Sequence, residues 1–143
     1  MATLTVEIVT PETALWRGEA NALVARSSDG DFTILPQHTE TVGDIVAGVV
    51  RVQTNEGELG FAVHGGYFQV GPGDNEGETR ATVLAGVAER TSEIDVARAQ
   101  AAKERLEAEL AAMTKGDAEN HPNFYLAQSA LERAELRLRA AAH

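Results

Sequence analysis

V-A-E-R-T-S-E-I-D-V-A-R-A, residues 87–99, is where this chain changes character. Ahead of it the sequence is rich in valine and threonine, is broken by glycine, and alternates in twos. Behind it alanine, glutamate and arginine dominate, and the apolar positions recur in threes and fours. Twelve valines precede Ala88 and only Val96 follows it. β-Branched side chains suit a pleated, half-buried surface, whereas alanine and straight-chain residues lose little freedom in a helix. The stretch also carries a helix start. Thr91 or Ser92 is placed to cap, and Asp95 stands three residues after Ser92 like the acid of a capping box. The sequence therefore predicts a strand-built part, residues 1–88, feeding a helical part, residues 89–143.

Upstream of the junction, residues 4–9 alternate, with Leu4, Val6 and Ile8 on one face. Strands are expected at residues 4–9, 14–17, 20–26, 31–35, 49–54, 59–63, 67–70 and 82–87. Gly18 is read as the turn between the second and third, and Trp16 as a core residue. Ser27-Ser28-Asp29-Gly30 and Asn55-Glu56-Gly57 read as tight hairpin turns, because Asp-Gly and similar pairs supply positive φ. Pro36 ends the fourth strand by removing a ladder donor. The acidic, glycine-rich residues 71–77 are expected to form an exposed, mobile loop. Eight to ten short strands with closely spaced turns predict a sandwich or flattened barrel.

Downstream, a first helix is expected over residues 93–113, carrying Val96, Ala99, Leu106, Leu110 and Met113. Residues 114–123 contain Gly116 and Pro122 and read as a loop. A second helix carries Phe124, Ala127, Leu131, Ala134, Leu138 and Ala141 at alternating spacings of three and four. Each helix spans about 30 Å at 1.5 Å per residue. The stripes are thin and mostly alanine, and at roughly 25 cal/mol per Å² such a seam anchors a helix pair weakly. Pattern alone leaves two readings open: a hairpin that detaches and docks elsewhere, and one that stays packed on the sandwich.

Composition excludes several function classes. The formal charge of −10 comes from 12 basic and 22 acidic residues. Residues 1–88 hold four arginines, no lysine and 12 acids, for −8. So acidic a strand region repels phosphate backbones and anionic lipid heads, which argues against nucleic-acid binding and against direct lipid insertion. The amino terminus lacks the basic flank of a signal peptide, and no apolar run approaches the roughly 20 residues that cross a bilayer. With no cysteine there is no disulfide and no thiolate chemistry, so the chain reads as cytosolic. His38, His64, His121 and His143 lie far apart in sequence and suggest no zinc set. No phosphate-binding glycine loop and no nucleophile elbow is present. The chain is read as non-catalytic, with no metal and no required cofactor.

Two places remain. D-G-D-F-T-I-L-P-Q-H, residues 29–38, is a turn and a proline-broken strand that reads either as a hairpin tip or as a docking edge. Ile94-Asp95-Val96-Ala97-Arg98-Ala99 places Asp95 and Arg98 three apart on one helix face. That is either a capped first turn or a small polar pocket.

Across nearly its whole length the chain resembles the epsilon subunit family of F-type ATP synthases. The resemblance rests on V-E-I-V-T-P-E (6–12), G-D-F-T-I-L-P-Q-H (30–38), G-V-V-R-V (48–52), A-V-H-G-G-Y-F-Q-V (62–70) and T-V-L-A (82–85). The junction A-E-R-x-x-E-I-D and E-R-A-E-L-R-L (132–138) follow in order. It implies a ten-stranded β-sandwich followed by an antiparallel two-helix hairpin, an α+β chain lying in the rotating central stalk on the cytoplasmic face of the membrane. The implied partners are the gamma subunit, the proteolipid c-ring and, when the hairpin extends, the alpha/beta catalytic head, where the hairpin restrains ATP hydrolysis. The ring-facing segment maps to residues 30–38, so the implied contacts are Gly30, Asp31, Phe32, Leu35, Pro36 and His38. Some bacterial members bind one regulatory ATP through I/L-D-x-x-R-A, which Ile94, Asp95, Arg98 and Ala99 match, with Glu89 upstream. An arginine those members use late in helix two aligns with Ala140, and the next lies past His143, so Arg133, Arg137 or Arg139 would substitute and ATP would bind weakly. Thr33 and Gln37 stand where the family usually has glycine. The alternative is a free-standing ligand-binding sandwich with a helical lid, which would bind its ligand tightly without a partner.

Overall fold

A computed structural model describes residues 2–113 and 123–142. Ten strands come first: β1 (Thr3–Val9), β2 (Ala14–Ala20), β3 (Ala22–Ser27), β4 (Gly30–Ile34), β5 (Thr41–Ile45), β6 (Gly48–Thr54), β7 (Gly57–Val63), β8 (Gly66–Pro72), β9 (Glu78–Ala85) and β10 (Ala88–Arg90). A 3-10 turn (Thr91–Glu93) leads to α1 (Val96–Met113), and α2 is Phe124–Ala141. The chain divides into two compact units, residues 1–91 and 92–143.

The strands form two five-stranded sheets, ordered β2-β1-β9-β8-β5 and β10-β7-β6-β3-β4. All strand pairs are antiparallel except β1 with β9, which run parallel from Thr3↔Glu78 to Val9↔Leu84. The alternation of β1 puts Leu4, Val6 and Ile8 wholly inside. They meet Val83 and Val70 of their own sheet and Leu23, Ile34, Val50, Val52, Phe61 and Val63 of the other in one continuous core. Sheet on sheet is the expected way for two such half-apolar faces to leave water.

Four expectations are corrected. Gly18 is no turn: β2 runs through it to Ala20, and the chain bends at Asn21. A Cβ there would stand 2.7 Å from the Trp16 ring, so the glycine makes room for that ring. Residues 41–45, unassigned from the sequence, form edge strand β5, in which Gly43 lies beneath Phe68 in the same way. β9 starts at Glu78 and β8 reaches Pro72, so the acidic loop shrinks to residues 73–77. It is exposed but tied, with Gly73 N–H donating to the Glu78 carbonyl (2.9 Å) and Arg80 bonded to Asp74 (2.8 Å). Fourth, Ala88–Arg90 pairs with β7 as β10. The loop expected at residues 114–123 falls outside the described residues except for Asn123.

In the second unit α1 and α2 pack on each other. Ala99 and Leu106 of α1 and Ala127 and Ala134 of α2 are buried, all on the predicted stripes. Val96, also placed on the stripe, is exposed. Leu136 and Ala140 are buried as well. At 100° per residue they lie on a different side of α2 from Ala134.

Candidate functional site

The docking edge is strand β4 with its two flanking turns. β4 is the last strand of its sheet, so one row of its backbone groups has no neighbouring strand. Gly30 closes the turn from β3 with φ +124°, which suits glycine. Asp31 is exposed, and its Oδ1 accepts from Arg26 Nε at 2.8 Å. Phe32 turns inward, stacked on Phe68 with ring centroids 4.4 Å apart, and so serves the core.

After β4 the chain makes a second turn, Leu35-Pro36-Gln37-His38, closed by His38 N–H donating to the Leu35 carbonyl (3.1 Å). Proline at the second position and positive φ at the third (Gln37, +69°) are the marks of a type II turn. Gln37, noted in the sequence as standing for a glycine, thus occupies the position where a side chain is strained. Its N–H donates to the buried Thr79 hydroxyl (2.8 Å), which ties the turn to β9. Leu35 is 53% exposed, and the His38 Nδ1 lies 2.8 Å from the Thr39 carbonyl. The candidate contacts therefore do not cluster at one tip. Gly30 and Asp31 lie at one end of β4, and Leu35, Pro36 and His38 lie at the other, about 13 Å away at 3.3 Å per residue.

The second candidate place is the start of α1. Asp95 caps the helix: its Oδ1 accepts from the Arg98 N–H at 3.0 Å, and its own carbonyl accepts from Ala99. The cap is therefore Asp95 and not Thr91 or Ser92, and α1 starts at Val96, three residues later than expected. A carboxylate here both satisfies a free N–H and meets the positive end of the helix dipole. The Arg98 and Arg133 side chains are exposed, and among the described residues no hydrogen bond or ion pair engages either guanidinium. Ala140 is wholly buried. Glu89 belongs to β10 in the first unit, with its carboxylate 3.9 Å from His64 Nε2.

The sequence reading missed a third feature. Val42 (72% exposed), Tyr67 (64%) and Leu84 (45%) form an apolar row on the outer face of the first sheet, across β5, β8 and β9. Tyr67 pairs directly with Leu84, and Val42 pairs with Gln69, two residues along from Tyr67. The signal was present as apolar residues at outward positions of alternating strands, but β5 had not been assigned. Among the described residues no helix is long and apolar enough to cross a membrane, and no His/Cys/Asp/Glu group is arranged to hold a metal.

Both units match family descriptions. Residues 3–91 match the ATP synthase delta/epsilon chain beta-sandwich domain, and residues 92–142 match the long alpha-helix domain of the same chain. The chain is 42% identical over 111 residues to an ATP synthase epsilon chain of Desulforudis audaxviator, covering 78% of this chain and 77% of that one. It is 40% identical over 140 residues to one of Syntrophomonas wolfei, covering 97% and 94%. A chain in the structure of the Euglena gracilis mitochondrial ATP synthase (OSCP/F1/c-ring) superposes with a TM-score of 0.75 at 21% identity, over 100% of this chain and 83% of that one, a likeness of fold. With a strand unit and a helix unit each matched from end to end, the chain belongs to the ATP synthase delta/epsilon family.

Proposed function

We propose that this chain is the non-catalytic central-stalk subunit of a rotary ATP synthase, joining rotation of a proteolipid ring to the gamma subunit and restraining ATP hydrolysis through its helices. The observation that carries the reading is the division into a sandwich and a separately packed helix pair, matched in turn to the two domains of that family. The apolar row Val42, Tyr67 and Leu84 supports docking on gamma, since exposed apolar surface of this kind marks protein contact sites. The β4 edge with Asp31, Leu35 and His38 supports the ring contact. The buried side chains of the helix pair are four alanines (Ala99, Ala127, Ala134 and Ala140) and only two leucines (Leu106 and Leu136), so parting the helices exposes little apolar area and costs correspondingly little. That supports a helical arm that can extend toward the alpha/beta head. On this reading the chain works at the cytoplasmic face of the membrane, held there by its partners.

The test uses a gamma-containing ATPase stripped of this subunit. The full chain should co-purify with gamma and lower ATP hydrolysis. A chain ending at Thr91, which keeps β10 intact, should still bind gamma and should release hydrolysis. Unchanged hydrolysis would remove the restraint and leave the coupling role. Failure to bind gamma would remove the whole reading in favour of a free-standing ligand-binding sandwich.

A regulatory nucleotide is a second element of the proposal. Arg98 and Arg133 have exposed guanidinium groups able to take phosphate, and the second Asp95 oxygen can accept from a ribose hydroxyl or an adenine amino group. The cap already occupies the other oxygen, and position 140 offers alanine, so affinity should be weak. Calorimetry with the full chain should register ATP binding only at millimolar ligand, and no heat at that concentration removes this element.

A further inference from the structure

Two hairpin turns of the second sheet share one design. In Ser27-Ser28-Asp29-Gly30 the Ser27 hydroxyl accepts from the Asp29 N–H (3.2 Å) and donates to the Gly30 carbonyl (3.2 Å). In Thr54-Asn55-Glu56-Gly57 the Thr54 hydroxyl accepts from the Glu56 N–H (3.2 Å) and donates to the Gly57 carbonyl (2.8 Å). Both end on a glycine of positive φ, +124° and +131°. The two turns differ in what holds their second residue. Asn55 receives one neutral bond, from the Asn21 amide (2.9 Å). Ser28 gives two bonds to a single carboxylate: its N–H to Asp44 Oδ2 and its hydroxyl to Asp44 Oδ1, both at 3.0 Å. Bonds to an ionised acceptor are roughly twice as strong as neutral ones.

Asp44 belongs to β5, at the edge of the opposite sheet. The brace therefore crosses from one sheet to the other, beside the Val46 N–H to Arg26 carbonyl bond (3.0 Å). Aspartate is a poor strand former, and although a charge suits an exposed sheet edge, this one spends both carboxylate oxygens on Ser28. Its carboxylate is explained by what it holds, a turn bearing Asp29, Gly30 and Asp31.

We infer that Asp44 is a positioning residue for the partner-facing β4 edge, holding the Ser28–Asp31 turn in one conformation so that Asp31 meets the proteolipid ring already ordered. The inference rests on the reading of that edge as the ring contact. A turn left unbraced must be ordered on docking, and that cost falls on affinity. Among the described residues the Asp44 carboxylate accepts only from Ser28, so its removal leaves the Arg26–Asp31 pair in place.

The experiment restores ATP-driven proton pumping in membranes carrying the complex stripped of this subunit, by adding back full chain at rising concentration. Asp44→Ala should raise the half-saturating concentration about tenfold, the ordering cost of a short loop, and leave the saturating pumping rate unchanged. Asp44→Asn should bring it back to within about threefold, because its amide oxygen accepts from the Ser28 N–H and its NH₂ donates to the Ser28 hydroxyl, at about half the strength of the charged bonds. Ser28→Ala keeps the backbone bond and should lie between them, which covers the case where Asp44→Ala does not fold. Asp44→Ala acting at the wild-type concentration, while Asp31→Ala needs more, overturns the inference and leaves the ring contact standing. An Asp44→Ala defect that Asn does not relieve overturns it too, since the bonds would not be the cause. If neither Asp31→Ala nor His38→Ala changes the half-saturating concentration, the ring reading falls, and the inference falls with it.

Discussion

Gly66 is the position where the fold tolerates a side chain least. It opens β8 and pairs with Ala85 of β9. A Cβ placed on it would collide with the Leu84 carbonyl oxygen and lie 3.1 Å from both the Leu84 carbonyl carbon and Ala85 Cα. All three atoms are backbone atoms of a central strand, so no side chain can rotate away. Overpacking a well-packed site costs about 1–3 kcal/mol, and a backbone obstacle puts this one near the top of that range. Gly→Ala also removes unfolded-state freedom, which returns about 0.4–1 kcal/mol. The net destabilisation for Gly66→Ala is about 2 kcal/mol. With a urea slope of about 1.5 kcal/mol/M, the unfolding midpoint should fall by about 1.3 M. Trp16 is the sole tryptophan and lies in β2, so its fluorescence reports the sandwich and not the helices. Two controls rank the effect. In Gly43→Ala the obstacle is the Phe68 ring, 2.6 Å away, which can shift, so the loss should be smaller. Gly71→Ala, also in β8, meets no heavy atom within 4 Å and should stay within about 0.3 M of the parent. A Gly66→Ala midpoint indistinguishable from that of Gly71→Ala would refute the reasoning.

Gln37→Gly should stabilise the sandwich slightly, by about 0.5 kcal/mol, because relief of roughly 1 kcal/mol of left-handed strain exceeds the added unfolded-state freedom. A lower urea midpoint would contradict this. Asp95→Ala should cost the helical unit about 1 kcal/mol and lower its melting temperature by circular dichroism at 222 nm, whereas Asp95→Ser, which still caps, should not. Equal losses in both variants would show that the cap bond is not what matters. The Glu78 carboxylate accepts from the Thr5 hydroxyl (2.7 Å) and from the Asn75 N–H, in that order of influence, and these bonds hold its pKa below 4.5. Its contribution to stability is thus fully present above that value and is lost as pH falls through the lower folded-state value. In Thr5→Val the Glu78 titration followed by NMR should move back up toward 4.5, and an unmoved midpoint would reject the assignment.

The two-part plan was legible in the sequence because burial writes its period into the residues. Leu4, Val6 and Ile8 announce a strand with one face inside. Ala99 and Leu106, seven apart, announce a helix with one side covered. Turns are equally local: Asp29-Gly30 and Glu56-Gly57 carry the positive φ they need in their own residue types. The Asp95–Arg98 spacing was visible too, but its use was not. One carboxylate can serve a cap or a ligand, and only the observed bond to the Arg98 N–H distinguishes them.

What escaped the sequence depended on partners distant along the chain. Gly18 and Gly43 look like breaks until the rings of Trp16 and Phe68 are seen lying over them. β5 was missed for that reason, and with it the row Val42, Tyr67 and Leu84. Asp44 reads as one surface acid among 22, and it becomes a brace only because β5 comes to rest beside a turn 16 residues earlier. Local propensity and periodicity are properties of neighbours in sequence, so the sequence by itself determined which parts are strand and which are helix. The tertiary structure decided which glycines are strand and which acid holds the edge, because those roles belong to contacts between residues that the chain keeps apart.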